Sequence, residues 1–263
     1  MKRSILLILL IFGEVHSQNS SKFAGIHVGE LFNFGSSALF GNFALAQANF
    51  ASNLFCSFSN KHEIEHLNQF RLAYSKALED KIIGFTYSLN QENNWHKHSG
   101  NIGIQLNYSK RWFFAPSIDL QLTNYPRIKH SNEYNASASF GIAYQYNSNW
   151  NFGLHAFNLI ASQQAYQSFK INPSIYYTYE NNLLIGIQSE VSQAKSIINN
   201  RLHFLYTNKS GSAIYVQYSV EGNYFTLGYS KKMTKFGWNI LLSYHDTLGY
   251  SPSIELNRFW HEK

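Results

Sequence analysis

The chain has 263 residues, of which 44% are hydrophobic, 17% aromatic and 14% charged, and its formal net charge is +6. The many aromatic residues exclude a disordered chain, and the single cysteine excludes a disulfide scaffold. Soluble domains carry about 25% charged residues, whereas the polarity here comes from 28 Asn and 31 Ser. This composition predicts a membrane β-barrel.

The first 17 residues have the layout of a secretory signal peptide. Lys2 and Arg3 provide positive charge, and residues 5–12 form an unbroken apolar run. Small side chains at Val15 and Ser17 predict cleavage after Ser17. A membrane-spanning helix needs about 20 apolar residues, so this run is too short to be one. We therefore expect residues 1–17 to be removed during export.

Residues 18–50 precede the first strand that we predict for the barrel. Glycines recur in this segment, at positions 25, 29, 35 and 41, among apolar and small side chains. The pattern fits either an additional pair of strands or a segment that plugs the lumen, and it does not distinguish between them. We assign the barrel itself to residues 51–263.

Apolar and polar residues alternate along most of the remaining chain. In the segment 81–90, Ile83 and Phe85 share one face of a strand, and Gly84 and Thr86 share the other. Such alternation over about ten residues is typical of a spanning strand. It predicts about 14 strands, or 12 to 14, an even number as in single-chain bacterial barrels. The predicted strands are 51–59, 67–76, 81–90, 101–110, 112–123, 134–146, 149–159, 171–180, 183–192, 200–208, 213–220, 224–232, 236–245 and 250–260.

A soluble β-sandwich would show the same alternation, but two features favour a barrel in the outer membrane. Aromatic residues such as Trp112, Trp150, Trp238 and Trp260 lie near the ends of predicted strands, as in interfacial girdles. The polar faces carry mainly uncharged side chains. Because no later stretch approaches 18 consecutive apolar residues, a closed barrel is the predicted spanning structure. We therefore predict an all-β fold, an antiparallel transmembrane outer-membrane β-barrel.

Two histidine-containing strings have residue types that can bind a metal. His62, Glu63 and His66 form an H-E-x-x-H string, which binds zinc when it lies on a helix. The segment from Ile64 to Ala77 has near-helical spacing, but it also alternates like a strand, and no third ligand follows at the usual spacing. We therefore interpret 62–66 as a charged loop. The string His96-Lys97-His98 is interpreted as part of a polar connection, 90–99.

Several charged or histidine side chains are predicted to lie on or near the lumenal faces of strands. They either line a solute path, as charged rings do in pores, or brace a small barrel through ion pairs and hydrogen bonds. The sequence favours neither role. These residues are Asp119, His155, Glu190, Arg201, His203 and Glu255.

Two further features carry no predicted chemistry. Cys56 lies in an apolar strand and is interpreted as a small packed hydrophobe. Lys231, Lys232 and Lys235 form a basic cluster at a predicted turn, where they can meet anionic lipid headgroups. The other basic residues are scattered, so no nucleic-acid partner is predicted.

Three stretches resemble a known family. They are residues 33–46, the segment 153–158 (GLHAFN) and the segment 244–252 (YHDTLGYSP), of which the last is the most specific. Together they resemble the PorV/PorQ-like outer-membrane proteins of the Bacteroidota, a branch of the FadL-type barrels. The resemblance implies a barrel of about 14 strands, and it covers most of the mature chain in pattern.

The resemblance also implies a function. Several members of this family serve type IX secretion, where they dock beside a large translocon barrel or hold cargo. The FadL branch itself imports hydrophobic molecules and has an N-terminal plug inside the barrel. This chain is shorter than full-length members, so we expect it to lack long extracellular loops. No individual functional residue is carried over from the family.

The leading hypothesis is therefore a non-enzymatic accessory subunit of type IX secretion in the outer membrane of a Gram-negative bacterium. Its expected partners are outer-membrane lipid, a larger translocon barrel, and periplasmic or lipoprotein subunits. An alternative is a channel or FadL-like transporter for small or hydrophobic solutes. A remote alternative is a zinc metallohydrolase that uses His62, Glu63 and His66. The leading hypothesis predicts no catalytic residue, no cofactor and no metal.

Overall fold

The computed structural model describes residues 42–45, 52–60, 68–78, 80–92, 95–125, 132–162, 169–180, 182–192, 198–208, 210–220, 224–233, 235–246 and 248–260. The predicted signal peptide, most of the 18–50 segment and the 62–66 string lie outside these residues. No helix in the described stretches is long and apolar enough to cross a membrane.

The described strands number fourteen, and they form one closed antiparallel barrel in which each strand pairs with its neighbours in the sequence. This confirms the predicted fold. One short 3₁₀ turn, Phe43–Leu45, precedes the first strand. The strands are β1 Ser52–Asn60, β2 Asn68–Ala77, β3 Lys81–Glu92, β4 Trp95–Asn107, β5 Trp112–Asn124, β6 Asn132–Gln145, β7 Trp150–Ala161, β8 Lys170–Tyr179, β9 Leu183–Ser192, β10 Ile198–Thr207, β11 Ser212–Ser219, β12 Tyr224–Lys232, β13 Phe236–His245 and β14 Gly249–Trp260.

The barrel closes where β1 pairs with β14. Their register runs from Ser52 opposite Trp260 to Ser59 opposite Ser253. The first and last strands therefore satisfy each other's backbone hydrogen-bonding groups, as a structure in lipid requires.

Alternation along each strand separates a lipid-facing surface from a lumenal one. In β14, Ile254 and Leu256 are 48% and 51% exposed, whereas Glu255 and Asn257 between them are 7% and 2% exposed. The exposed face is apolar and the buried face is mostly polar, which is the reverse of a soluble domain. This inversion is what a barrel with a lipid-facing outer surface requires.

Aromatic residues form girdles on the outer surface near both ends of the strands. At one end the ring centroids of Trp112 and Tyr144 are 4.4 Å apart, and those of Trp150 and Tyr177 are 4.7 Å apart. At the other end Tyr244 packs on Tyr250, with centroids 5.1 Å apart. The structure thus confirms the predicted aromatic residues near strand ends, where aromatic rings occupy the membrane interfaces.

The two ends of the barrel differ in their connections. The end that carries the start of β1 and the end of β14 has connections of three or four residues, whereas those at the other end have two to eight. We call them the turn end and the loop end. Short turns face the periplasm in outer-membrane barrels, so we expect the loop end to face outward.

The barrel wall is also uneven in height. Strands β3 to β7 have 12 to 14 residues, whereas β8 to β13 have 8 to 10. On β4 to β6 the outward positions closest to the loop end are polar: His96 pairs with Asn124, and Asn124 pairs with Asn132. These polar outward residues mark where the taller wall leaves the apolar band.

Candidate functional site: the barrel lumen

Near the turn end the lumen is lined by apolar side chains, with buried polar residues such as Asn53, Gln105 and Thr207 between them. The apolar residues lie within five positions of a strand terminus, and each is at most 8% exposed. Alternation places all of them on the inner face. We call this set the apolar ring: Phe55, Ala73, Ile82, Ala115, Ala143, Tyr176, Leu184, Leu205, Ala213, Tyr215, Leu241 and Phe259.

A short segment from before β1 packs inside this ring. Residues 42–45, which we call the plug turn, place Ala44 and Leu45 against ring residues. The turn is held by its own hydrogen bonds: the Leu45 N–H donates to the Asn42 carbonyl at 2.9 Å, and the Ala44 N–H donates to Asn42 Oδ1 at 3.0 Å. Asn42 therefore caps the turn with its side chain, as asparagine commonly does.

The plug turn lies against a notch in the wall made by two glycines. Asn42 Nδ2 donates to the Ile142 carbonyl of β6 at 3.4 Å. A Cβ atom added at Gly141 would collide with Asn42 Oδ1 and would lie 3.3 Å from Ala44 Cβ. At Gly153, on β7, an added Cβ would collide with Ser174 Oγ of β8 and would lie 3.1 Å from Asn42 Nδ2 and 3.3 Å from Leu45 Cδ1. The plug turn therefore approaches the wall so closely that a larger residue at Gly141 would require the Asn42 side chain to move.

Towards the loop end the inner face becomes polar. Its buried positions carry mainly hydroxyl and amide side chains, including Ser57, Thr86, Ser117, Ser137, Ser139, Gln188, Ser219, Thr226, Ser243 and Ser251. Among the described residues, some of these groups, such as Ser117 Oγ and Gln188 Oε1, have no hydrogen-bond partner. Buried polar groups generally bind protein or ordered water, so this half of the lumen offers sites for water, as do polar positions near the turn end such as Gln105.

Three lumenal carboxylates, Asp119, Glu190 and Glu255, are bonded to residues of neighbouring strands. Glu190 lies between Lys170, 2.8 Å from Nζ, and Arg201, 3.7 Å from Nη2. This pairing is partly exposed to the lumen, so its contribution to stability is small.

Two other acids accept hydrogen bonds from uncharged groups. Asp119 accepts from Asn101 Nδ2 and Ser139 Oγ, both at 2.6 Å, and Glu255 accepts from Asn239 Nδ2 at 2.7 Å. Each bond joins different strands, which favours the bracing role over the free charged ring that was the other interpretation.

The two predicted lumenal histidines are buried on the inner face. The His155 ring packs on Phe157 with centroids 3.8 Å apart, close to a register shift between β6 and β7. His203 Nδ1 lies 3.2 Å from the Tyr215 hydroxyl, which donates to Gln217 Oε1 at 2.6 Å. All six residues predicted for the lumenal faces therefore lie there, and the barrel distributes them over several strands.

Only some of the predicted metal and cysteine features lie in the described residues. The 62–66 string lies outside them, while β2 excludes the helical alternative for residues 68–77. The prediction that His96-Lys97-His98 lies in a polar connection is wrong, because β4 begins at Trp95 and includes all three. In the described stretches no cluster of three or more His, Cys, Asp or Glu side chains could hold a metal. Cys56 is half-buried on the outward side of β1.

Sequence reasoning missed the glycine notch. Gly141 and Gly153 lie inside the predicted strands 134–146 and 149–159, where alternation assigns them no special role. A glycine inside a strand often marks a close approach of another backbone, and this signal was present at both positions. The partner of the notch was not visible in the sequence, since alternation carries no information about which segment enters the lumen.

No protein-family model and no curated protein matches the chain. Solved structures do match in fold. The monoaromatic hydrocarbon channel CymD has a TM-score of 0.68 at 9% identity, over 96% of this chain and 100% of CymD. The P. putida toluene transporter TodX has a TM-score of 0.68 at 9% identity, over 87% of this chain and 95% of TodX.

A FadL homologue from Pseudomonas aeruginosa also matches, with a TM-score of 0.61 at 8% identity over 95% of this chain and 100% of that chain. At such identities the likeness establishes the fold alone. The FadL-type and PorV/PorQ-like assignments that the sequence resemblance implied stay predictions.

Proposed function

We propose that this chain is a non-enzymatic outer-membrane channel for small hydrophobic solutes, and that the plug turn gates it. This is the alternative function from the sequence, and two kinds of observation support it over the secretion role. The fold matches those of solved hydrocarbon channels and a toluene transporter. The turn-end half of the lumen carries apolar side chains, and the plug turn packs against them.

The observation that carries the proposal is the seating of the plug turn in the glycine notch. Leu45 packs against both apolar clusters of the ring, so it occupies the space that an apolar solute would need. The described turn is held to the wall by one side-chain hydrogen bond of 3.4 Å, from Asn42. A contact of this length is weak, and the seat therefore suits a segment that moves.

The apolar ring also defines the class of solute. Binding sites for small molecules are mostly apolar with a few polar groups that fix orientation. Here the ring supplies the apolar walls, and the Tyr176 and Tyr215 hydroxyls supply polar groups. A small hydrophobic or aromatic molecule that enters through the hydrated half would thus gain by transfer into the ring. Export through a cleaved signal peptide would deliver the barrel to the outer membrane.

A reversible disulfide tests the gate. We expect the pair Ala44→Cys and Gly141→Cys to cross-link, because the two Cβ positions are 3.3 Å apart, close to the range of disulfides, about 3.5–4.5 Å. Asn42 Oδ1 must rotate away from the new side chain. The oxidised protein, made in a Cys56→Ala background, should be silent in planar bilayers, and a reductant should restore its current.

The controls are the two single-cysteine variants, whose current should not respond to the reductant. Uptake of toluene by cells that carry the pair should follow the same pattern. Equal current through the oxidised and reduced pair, with cross-linking verified by mass spectrometry, would reject the plug turn as the gate.

The secretion-accessory role is a second candidate, and the dense packing of the apolar ring favours it. Ring residues are at most 8% exposed, as expected for a barrel that serves as a rigid docking partner. This role predicts constant-ratio recovery with a larger translocon barrel or periplasmic subunits after mild-detergent purification from the native membrane. Recovery of the chain without such partners would leave the channel as the better-supported function.

A further inference from the structure

The outer surface of the barrel contains a groove that the lumen does not explain. It lies across β3 to β6, near the loop end, and has a volume of about 460 Å³. That volume is within the usual range for ligand pockets, about 300–1,000 Å³. The outward residues that line it include Tyr87, His98, Gly100, Leu122, Tyr134 and Ala136.

The groove exists because small residues occupy two positions of one outward row. Gly100 pairs with Tyr87 on one side and with Leu120 on the other, and Leu120 pairs with Ala136. In this row the outward side chains at positions 100 and 136 are absent or minimal. One row nearer the turn end, Ile102 stands beside Ile118 and is 58% exposed. The outer surface is therefore recessed in the row of Gly100 and filled by side chains in the row of Ile102.

The groove faces the hydrocarbon region and its upper edge faces the interface. Leu120 is 54% exposed and Tyr134 is 65% exposed, so the surrounding wall is apolar and outward. Above the groove, the next outward positions are the polar row of His96, Asn124 and Asn132 described earlier. The molecules available to fill such a groove in a membrane are lipids.

A hydrogen-bonded polar pair lies at the edge of the groove. The Tyr87 hydroxyl is 2.9 Å from His98 Nδ1, and both side chains are on the outward face. Polar groups on a lipid-facing surface are costly and commonly mark a functional site. When the tyrosine donates to Nδ1, the proton of the imidazole is on Nε2, which is then a donor for another molecule.

We propose that this groove binds one acyl chain of a membrane lipid in the leaflet at the loop end. The chain lies over Gly100 and Ala136, and an ester or hydroxyl oxygen at its upper end accepts a hydrogen bond from His98. The apolar lining holds the chain, and the polar pair sets how deep its upper end lies. The proposal is independent of solute passage through the lumen.

Filling the groove tests the proposal. A Cβ atom at Gly100 would meet only the Thr86 carbonyl oxygen, at 3.7 Å, so Gly100→Leu adds bulk without displacing the backbone. We expect native mass spectrometry of protein extracted in mild detergent to show one retained lipid on the wild type. Gly100→Leu and Ala136→Leu should each reduce that occupancy about tenfold, the effect expected when roughly two methylene groups lose their burial.

The matched control is Ala138→Leu. Ala138 is outward on the same strand as Ala136 and pairs with Ile118, but it does not line the groove. This control should keep the lipid, and His98→Phe should lose it in part while the groove stays open. Folding of every variant is checked by its heat-dependent migration on gels. Equal occupancy in wild type and both filled variants, or retention of detergent alone, would overturn the proposal.

Discussion

Gly141→Leu is expected to open the barrel. The new side chain would occupy the space of Asn42 Oδ1 and Ala44 Cβ, so the plug turn can no longer sit in the notch. Its displacement exposes Leu45, which costs up to about 2 kcal/mol of burial. We expect planar-bilayer recordings of this variant to show long-lived open states in place of the brief openings expected for the wild type.

The control for added bulk is Ser139→Leu. Ser139 is the next inward residue on β6 towards the loop end, and its hydroxyl donates to Asp119. Leucine there narrows the polar half of the lumen and leaves the notch intact, so it should leave the current unchanged or reduce it. If Gly141→Leu also leaves the current unchanged, the plug turn does not limit flow.

Ile240→Arg is expected to destabilise the barrel in a bilayer by about 2–4 kcal/mol, the cost of a lipid-facing arginine near the membrane midplane. Ile240 is outward, lies near the middle of β13 and pairs with Ile254. Urea unfolding of protein reconstituted in vesicles would measure this loss. If the outer surface faced water and not lipid, the same change would replace an exposed apolar side chain with a charged one and would cause little loss.

Two variants separate charge from position in this test. Ile240→Leu keeps the surface apolar and should cost less than about 1.5 kcal/mol. Ser253→Arg places the charge on the inner face, where Ser253 pairs with Leu241 and lies between the inward residues Ser251 and Glu255. A larger loss for Ser253→Arg than for Ile240→Arg would mean that the lipid-facing and lumenal surfaces have been exchanged.

The strands could be predicted from the sequence because lipid and lumen impose opposite polarity on alternate residues. The predicted segments 183–192, 224–232 and 236–245 coincide with β9, β12 and β13. Prediction failed at the start of β4, where His96 faces outward above the apolar band and His98 lies at the upper edge of that band. Outward side chains above the apolar band meet water and not lipid, so they need not be apolar. The alternation that identifies a strand is therefore lost there, although β4 continues to pair with its neighbouring strands.

The lumen was less predictable than the wall. The inward placement of Asp119, Glu190 and Glu255 followed from alternation, but their partners did not. Each partner is set by strand register and tilt, which bring Ser139 to Asp119 and Asn239 to Glu255. Likewise, Ala44 and Gly141 are in contact although they are about a hundred positions apart in the sequence. The alternation of apolar and polar residues carries no information about contacts between such distant residues.

The pairing of β1 with β14 has a consequence for how the barrel is made. Residues that must meet, such as Ser52 and Trp260, stand at opposite ends of the strand-forming chain, so closure has to wait until the last strand has been delivered. Until then the sheet has two open edges, each a template for pairing with another chain. Loss of β14 would therefore leave an open sheet with two unpaired edges that can bind other chains, and not a smaller barrel. The same unpaired edges exist during assembly, so cells must protect the intermediate until β14 arrives.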